Sequence, residues 1–204
     1  MRVVAGELRG RRIDGPPEPK NQSKSHQVTR PTTDKVREAI FNSLGSMGVV
    51  VEAVVVDLFA GSGALGIESL SRGAKHCTFV ENDRIALQVL RANIEALGLA
   101  SRSTIATTDL LRDVSGGSAD RVRSHVSGAD LVLADPPYGF TSWPELFSAI
   151  LEASPEAVLV AETETGANVH TTSPAGWLCL RSRDYGRTTV GFFVSATGRK
   201  FSTD

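Results

Sequence analysis

From residue 53 onward, short apolar runs alternate with segments whose apolar residues recur at helical spacing. The apolar runs predict strands at 54–58, 76–81, 103–107, 129–134 and 157–161. The helical spacing predicts helices at 62–71, from the N-cap Asp83 to Gly98, and around 143–152. Because the strands are almost continuously apolar and helices separate them, we expect a mostly parallel sheet covered on both faces.

The two ends of the chain follow a different pattern. Residues 177–196 contain two strand-like runs around a turn at Tyr185-Gly186, with no room for a helix between them, which predicts an antiparallel hairpin. Residues 2–14 alternate loosely and predict a small N-terminal β-hairpin extension. The expected fold is therefore α/β, with a mostly parallel seven-stranded sheet that ends in an antiparallel hairpin and has helices on both faces.

A polar segment separates the N-terminal hairpin from the rest. Residues 15–30 carry three prolines and many polar side chains, which predicts a mobile loop. A helix is predicted to follow, with Thr32 or Thr33 as its N-cap and apolar residues at i, i+4 and i+8 spacing. We therefore divide the chain into an arm and linker at 1–30 and a main domain at 31–204.

Charge is unevenly distributed along the 204 residues. The net charge is −1, but residues 1–38 carry +4 and the remainder carries −5. A basic arm on an acidic body favours a polyanionic partner, although a solvated basic segment with no partner fits the same charges.

Composition excludes several classes of protein. With 41% apolar and 22% charged residues, the chain is typical of a globular protein, and no window approaches 18 apolar residues, so no membrane span is expected. The two cysteines form no C-x-x-C pair, and neither a zinc site nor a disulfide framework is expected. The first residues lack the apolar run of a signal peptide, which favours a cytoplasmic protein.

The stretch "DLFAGSGALG" joins the first strand to a helix. Gly61 to Gly66 read as G-x-G-x-x-G, and Glu81 lies 20 residues past Gly61, as in a dinucleotide fingerprint. Two features disagree with that interpretation: Asp57 would repel a pyrophosphate, and "DLFA" delays the first glycine. A sulfonium cofactor carries a positive charge, which the same carboxylate would favour.

A second motif, Asp135-Pro136-Pro137-Tyr138, follows an apolar strand directly. It should therefore lie at the carboxyl edge of the sheet, where ligands bind in open α/β folds. The prolines withdraw two N–H groups and leave carbonyl acceptors, a carboxylate and an aromatic ring. Such a cluster suits an exocyclic amine on a flat ring: Asp135 and the Pro136 carbonyl accept its hydrogens, and Tyr138 stacks on the ring.

Together these motifs resemble the Rossmann-like methyltransferases that use S-adenosylmethionine and methylate amino groups. More narrowly, four stretches resemble the RsmD family, which methylates the N2 amine of a guanine in 16S ribosomal RNA. They are "MRVVAGELRGRRI", "TRPTTDKVREAIFNSL", "DLFAGSGALGIESLSRGA" and "YGRTTVGFFV". The chain departs from the family in its longer linker at 15–29 and in Tyr138, where members often carry phenylalanine.

The resemblance implies S-adenosylmethionine as cofactor, no metal, and a small ribosomal subunit or its 16S rRNA as partner of a monomeric enzyme. The implied catalytic residues are Asp135, Pro136, Pro137 and Tyr138. The implied cofactor-binding residues are Asp57, Phe59, Gly61, Gly63, Glu81, Asn82 and Asp109, with Glu81 on the ribose hydroxyls and Asp109 on the adenine amine. The implied RNA-binding residues are Arg9, Arg11, Arg12, Arg30, Thr32 and Thr33.

The residues leave other substrates open. The Asp-Pro-Pro-Tyr motif also suits adenine N6, cytosine N4 or a glutamine amide, and a basic arm does not distinguish RNA from DNA. Cytosine C5 methylation is less suited, because neither Cys77 nor Cys179 ends a strand in the predicted cleft. An inactive nucleic-acid-binding module is the remaining alternative.

Overall fold

The structure, a computed structural model, describes residues 1–16, 34–167 and 174–198. Within these residues seven strands form one sheet in the order β3-β2-β1-β4-β5-β7-β6. The strands are β1 Val54–Leu58, β2 His76–Glu81, β3 Ser103–Thr107, β4 Leu131–Ala134, β5 Val158–Glu164, β6 Trp177–Tyr185 and β7 Thr188–Ser195. Strands β1 to β5 are parallel, and β7 pairs antiparallel with both β5 and β6.

Helices connect the parallel strands and cover the sheet. They are α1 Asp34–Ser46, α2 Ala64–Ser71, α3 Arg84–Ala96, α4 Leu110–Ser115, α5 Asp120–Val126 and α6 Trp143–Ala153. A short 3₁₀ turn at Ala100–Arg102 leads into β3. This architecture agrees with the predicted mostly parallel α/β sheet and its antiparallel C-terminal hairpin.

Each face of the sheet has its own hydrophobic core. On one face, side chains of α1, α2 and α3 pack on the sheet, with Phe41, Ile67 and Leu90 fully buried. On the other face, α4, α5 and α6 pack around the buried rings of Phe147 and Phe193. The sheet is thus buried on both sides, as the continuous apolar strands predicted.

Some element boundaries differ from the sequence prediction. Helix α2 begins at Ala64 rather than residue 62, because Gly63 adopts a left-handed conformation (φ 82°) as its N-cap. Strand β5 continues to Glu164, three residues past the predicted end. The sequence did not predict α4 or α5, two short helices between β3 and β4.

The structure does not show the predicted N-terminal hairpin as a pair of strands. Residues 1–16 contain no strand; one antiparallel bridge joins Arg2 to Arg12, and the chain between them turns through Gly6 and Gly10. This segment packs on the body of the protein, since Val3 and Ile13 are buried in the core of the α1–α3 face. The division at residue 30 stays a prediction, because residues 17–33 lie outside the described part.

Candidate active site

The central strands β1 and β4 are neighbours and run parallel, with Leu58 opposite Ala134. The chain leaves β1 toward β2 on one side, and the sheet continues from β4 toward β5 on the other. The carboxyl ends of β1 and β4 therefore flank a topological switch point, the usual position of a ligand crevice in open α/β sheets. Both sequence motifs lie there, one directly after each strand.

The loop after β1 has a backbone that restricts its side chains. Phe59, Gly61 and Gly63 have positive φ values of 62°, 55° and 82°. A Cβ on Gly63 would lie 2.5 Å from Leu90 Cδ1, whereas a Cβ on Gly61 would meet no atom within 4 Å. Gly63 is thus needed for packing, and Gly61 leaves the loop backbone open to close approach by a ligand.

Glu81, at the end of β2, holds this loop. Its Oε2 accepts a hydrogen bond from the Gly61 N–H at 2.7 Å. Its Oε1 accepts from the N–H groups of Asn82 and Asp83, both at 2.8 Å. The carboxylate is therefore fixed against the glycine loop, and the structure brings together Glu81, Asn82 and Gly61, whose contacts with a cofactor stay a prediction.

Asp57 lies beneath the loop rather than on its surface. The residue is 1% exposed, and its Oδ2 accepts a hydrogen bond from the Gly66 N–H at 2.9 Å. Burial raises the pKa of Asp57 well above its ordinary value; the Gly66 bond lowers it in part, and the negative charges of Asp135 and Glu81 raise it further. A positively charged ligand at this position would relieve the repulsion that Asp135 and Glu81 exert on Asp57.

The Asp135-Pro136-Pro137-Tyr138 segment forms a half-buried corner after β4. The Phe140 N–H donates to the Pro137 carbonyl at 3.2 Å, which closes a turn. The Gly139 N–H donates to Glu164 Oε1 at 2.8 Å, so the end of β5 fixes the corner from the side. We refer to residues 135–139 as the proline corner.

Two residues at the proline corner were not predicted from the sequence. Glu164 fixes the corner, as described above. Phe140 links the two motif loops, because its ring lies 5.7 Å from that of Phe59 and 5.0 Å from that of Trp143. The sequence could have indicated Phe140, which is an aromatic residue only two positions past Tyr138. No local motif marked Glu164.

Asp109 follows β3 at the same edge of the sheet. It is the N-cap of α4, and its Oδ1 accepts from the Arg112 N–H at 3.0 Å. It also lines an open cavity of about 470 Å³ together with residues of α4, α5 and the turn between them. Its lining includes no residue of the glycine loop or of the proline corner, and the predicted adenine contact of Asp109 stays a prediction.

The predicted RNA-binding residues fall into two groups. Arg9, Arg11 and Arg12 are exposed on the N-terminal segment. Arg11 donates to the carbonyl of Ala96 at 2.8 Å, and Arg12 forms an ion pair with Asp14 at 2.6 Å. The other group, Arg30, Thr32 and Thr33, lies outside the described residues.

Asn93 on α3 connects the N-terminal segment to the glycine loop. Its Nδ2 donates to the carbonyls of Ser62 and Asp14, and its Oδ1 accepts from the Asp14 N–H, each at 2.9 Å. The side chain is 4% exposed. Asn93 was not among the predicted site residues, since its partners are distant in sequence.

The acidic groups at this edge fit the charges of S-adenosylmethionine. The negative charges of Glu81 and Asp135, which also raise the pKa of Asp57, suit its sulfonium and ammonium charges, and the open backbone at Gly61 allows close approach. Among the described residues no group of three or more His, Cys, Asp or Glu side chains could hold a metal ion. A parallel sheet with an antiparallel end, a glycine loop and an Asp-Pro-Pro-Tyr corner define a Rossmann-like methyltransferase.

Comparison with known proteins agrees with this class and narrows it. A family model described as "Conserved hypothetical protein 95" matches residues 1–194. Ribosomal RNA small subunit methyltransferase D of Escherichia coli is 32% identical over 190 residues, covering 92% of this chain and 86% of that protein. The protein of that name from Haemophilus influenzae is 31% identical over 191 residues, covering 91% of this chain and 89% of that protein.

The fold is also shared with a solved structure, over nearly the full length of this chain. The structure of yhhF from Escherichia coli superposes with a TM-score of 0.74 at 28% identity, covering 96% of this chain and 97% of that one. The chain belongs to the RsmD family, to which the Conserved hypothetical protein 95 model corresponds, and the family's methyltransferases depend on S-adenosylmethionine.

Proposed function

We propose that this protein transfers a methyl group from S-adenosylmethionine to the exocyclic N2 amine of a guanine in the 16S rRNA of the small ribosomal subunit. The observation that carries the proposal is the position of the proline corner. Asp135 follows β4 directly beside the glycine loop that follows β1, at the switch point of the sheet. A methyl donor and a planar amine can therefore meet between the two loops.

The cofactor would be held by the loops after β1, β2 and β3. Gly61 and Gly63 would lie against its methionine part with Phe59 beside them, and Asp57 would act on its ammonium through the loop, since Asp57 itself is buried. Glu81 and Asn82 would line the ribose, and Asp109 would accept from the adenine amine. When bound, the cofactor supplies an electrophilic methyl group on a sulfonium.

Glu81 can perform its proposed role in spite of its existing partners. Its Oε1 already accepts two backbone N–H groups, whereas Oε2 accepts one, from Gly61. A carboxylate offers about four acceptor sites, so one acceptor position on Oε2 remains for a hydroxyl. Glu81 thus contacts the ribose and the loop with the same oxygen, which would couple cofactor binding to the position of Gly61.

The chain's own residues would position the target amine. Asp135 and the Pro136 carbonyl would accept its two hydrogens, which orients the nitrogen lone pair toward the methyl group. Tyr138 would stack on the base, and Pro137 with Glu164 keeps the corner rigid. Because the donor is already activated, catalysis requires mainly this positioning. The nitrogen would lose its proton after attack, to Asp135 or to water.

RNA as the substrate is supported by the relatives whose names specify ribosomal RNA of the small subunit and by the basic residues of the N-terminal segment. A guanine N2 inside a helix faces the minor groove, out of reach of the corner. The target base must therefore be flipped out or lie in a loop. Such an enzyme would work as a monomer in the cytoplasm, where ribosomal subunits are assembled.

One experiment tests the proposal and its alternatives. The purified protein is incubated with labelled S-adenosylmethionine and small subunits that contain unmodified 16S rRNA, with naked 16S rRNA and duplex DNA in parallel. Mass spectrometry of nucleosides then identifies the methylated atom. N2-methylguanosine in 16S rRNA is the expected product. Methyl transfer to adenine N6, cytosine N4 or DNA would refute the proposed substrate, and no transfer to any of them would favour an inactive binding module.

A further inference from the structure

The carboxyl edge of the sheet presents an electrostatic difficulty for an RNA substrate. Glu81, Asp109, Asp135 and Glu164 all end strands or follow them at this edge, and Asp57 lies beneath. Carboxylates suit a cationic methyl donor, but they repel the phosphates on either side of a target base. A nearby cationic surface is needed to hold the RNA backbone against this repulsion.

The edge strand β6 and its turn carry such a surface. Arg181, Arg183 and Arg187 are all exposed. Within the described part of the chain none of the three forms an ion pair with a carboxylate. We call these three residues the arginine strip. Exposed guanidinium groups that have no carboxylate partner are available to bind phosphate, which they contact in bidentate geometry.

The neighbouring acidic residue does not neutralise the strip. Arg183 pairs with Val190 across the strands, so both lie on the face covered by α1. Asp184 is the next residue and points to the opposite face, where its Oδ1 accepts a hydrogen bond from Thr189 Oγ1 at 2.6 Å. The alternation of side chains along β6 thus separates the charges.

Contacts hold two of the three side chains of the strip, those of Arg181 and Arg183. Arg181 Nη1 donates to Ser43 Oγ of α1 at 3.3 Å. The Arg183 guanidinium lies 5.7 Å from the centre of the Tyr185 ring, which is half-buried against the core. A guanidinium supported on an aromatic ring loses less conformational entropy on binding than a free one.

The strip lies level with the proline corner. Tyr185 pairs with Thr188, and Thr188 with Glu164, the residue that fixes Gly139. The Thr165 N–H also donates to the Arg187 carbonyl at 3.0 Å, which joins the turn to the end of β5. Three strand spacings separate β4 from β6, or about 14 Å. An RNA strand with its base in the corner can reach this distance within a few nucleotides.

Resting on the function proposed above, we propose that the arginine strip binds the phosphate backbone of the RNA substrate next to the flipped base. It is a second RNA contact, distinct from the basic N-terminal segment. In that segment, Arg11 donates to the carbonyl of Ala96 at the end of α3. Helices in such units run antiparallel to the strands, so the end of α3 lies toward the amino edge, away from the corner.

The test compares two double variants of the full chain. Arg183→Gln with Arg187→Gln removes two charges from the strip. The matched control, Lys75→Gln with Arg91→Gln, removes two exposed charges from the β2–α3 side of the molecule. All four residues are exposed, so thermal unfolding midpoints should stay unchanged. Binding to unmodified 16S rRNA transcript is measured as a function of salt concentration, together with methyl transfer and S-adenosylhomocysteine binding.

The strip variant should bind RNA more weakly, and its log–log salt slope should fall by about 1.4, which corresponds to two single-strand phosphates. The control should keep the slope of the parent, and both variants should keep the parent's S-adenosylhomocysteine affinity. Equal slopes in strip variant and parent would overturn the proposal, as would equal loss in the control. Weaker binding to assembled subunits with unchanged binding to naked RNA would also overturn it and indicate a ribosomal protein as the partner.

The outcomes separate this inference from the proposed function. If the parent protein methylates RNA and the strip variant binds RNA as the parent does, only the strip proposal fails. If the parent protein neither binds the transcript nor transfers methyl groups to it, the proposed function fails first.

Discussion

Replacing Glu68 by alanine should destabilise the protein strongly. Glu68 lies on α2 with a fully buried side chain, and its two oxygens serve both charged and neutral donors. They accept from the N–H groups of Val4 at 2.8 Å and Ala5 at 3.0 Å, and from Arg72 Nε at 2.7 Å. Arg37, also fully buried, forms an ion pair with Glu68 at 3.5 Å. One carboxylate thus joins the N-terminal segment, α1 and α2.

The magnitude follows from what the substitution leaves behind. Arg37 would keep Asp34 as a carboxylate partner, but the Asp34 side chain is 52% exposed. Solvent therefore weakens the attraction between the two charges, and Asp34 compensates little for the loss of Glu68. Removing one partner of a buried ion pair costs about 3–5 kcal/mol, because the other charge stays buried. For a chain of this length each kcal/mol lowers the unfolding midpoint by about 2–4 °C, so a decrease of about 6–20 °C is expected.

Urea unfolding followed by tryptophan fluorescence measures the effect. Trp143 and Trp177 are both buried, so their emission reports loss of the core. The matched control is Glu95→Ala, because Glu95 is exposed on α3. The control should change the free energy of unfolding by less than about 0.5 kcal/mol. A loss below about 1 kcal/mol for Glu68→Ala would refute the assigned role of the buried ion pair.

Three further substitutions test the site. Asn93→Leu should weaken S-adenosylhomocysteine binding by calorimetry, because the Ser62 carbonyl of the glycine loop loses its donor; unchanged affinity would contradict the link. Gly66→Ala should lower the free energy of unfolding by about 1–3 kcal/mol in urea, since a Cβ would lie 2.3 Å from Phe79 Cε1; a neutral effect would contradict this packing. Asp57 has a raised pKa in the folded state. Its contribution to stability is therefore present below about pH 4 and is lost as pH rises toward the folded pKa. Asp57→Asn should remove this loss in denaturation measured across pH, and an unchanged pH profile would argue against it.

The sequence predicted most of the fold because the fold depends on local patterns. Continuous apolar runs gave the five parallel strands, and the absence of a helix-length spacer around Tyr185 gave the antiparallel hairpin. The helices α4 and α5 were missed because each is at most seven residues long and a Gly-Gly-Ser-Ala stretch separates them. Two short amphipathic turns around such a stretch have the composition of a loop.

The candidate site was predictable only where its residues are contiguous. The glycine loop and the proline corner are local motifs at strand ends, and the structure brings them together. The supporting residues Glu164 and Asn93 depend on partners that are 25 to 79 residues away in sequence. Such contacts are set by strand length and helix packing, so a single sequence shows these residues only as polar side chains.

The N-terminal segment shows the same limit. Its alternating residues suggested a small hairpin extension, whereas in the structure backbone N–H groups at Val4, Ala5 and Leu8 bond to side chains of α2. The segment therefore bonds to α2 as well as within itself, where Val3 and Ile13 N–H groups donate to the carbonyls of Arg11 and Met1. Only the position of Glu68 and Ser71 on α2, which the sequence does not mark, decides this outcome.

Asp135→Ala offers the most direct test of the account, which holds that the proline corner positions an RNA amine beside the cofactor. Single-turnover methyl transfer to small subunits is measured alongside S-adenosylhomocysteine affinity for the variant and the parent. The account predicts that transfer falls at least about 100-fold while cofactor affinity stays unchanged. Transfer at the parent's rate, or an equal loss of transfer and cofactor binding, would contradict it.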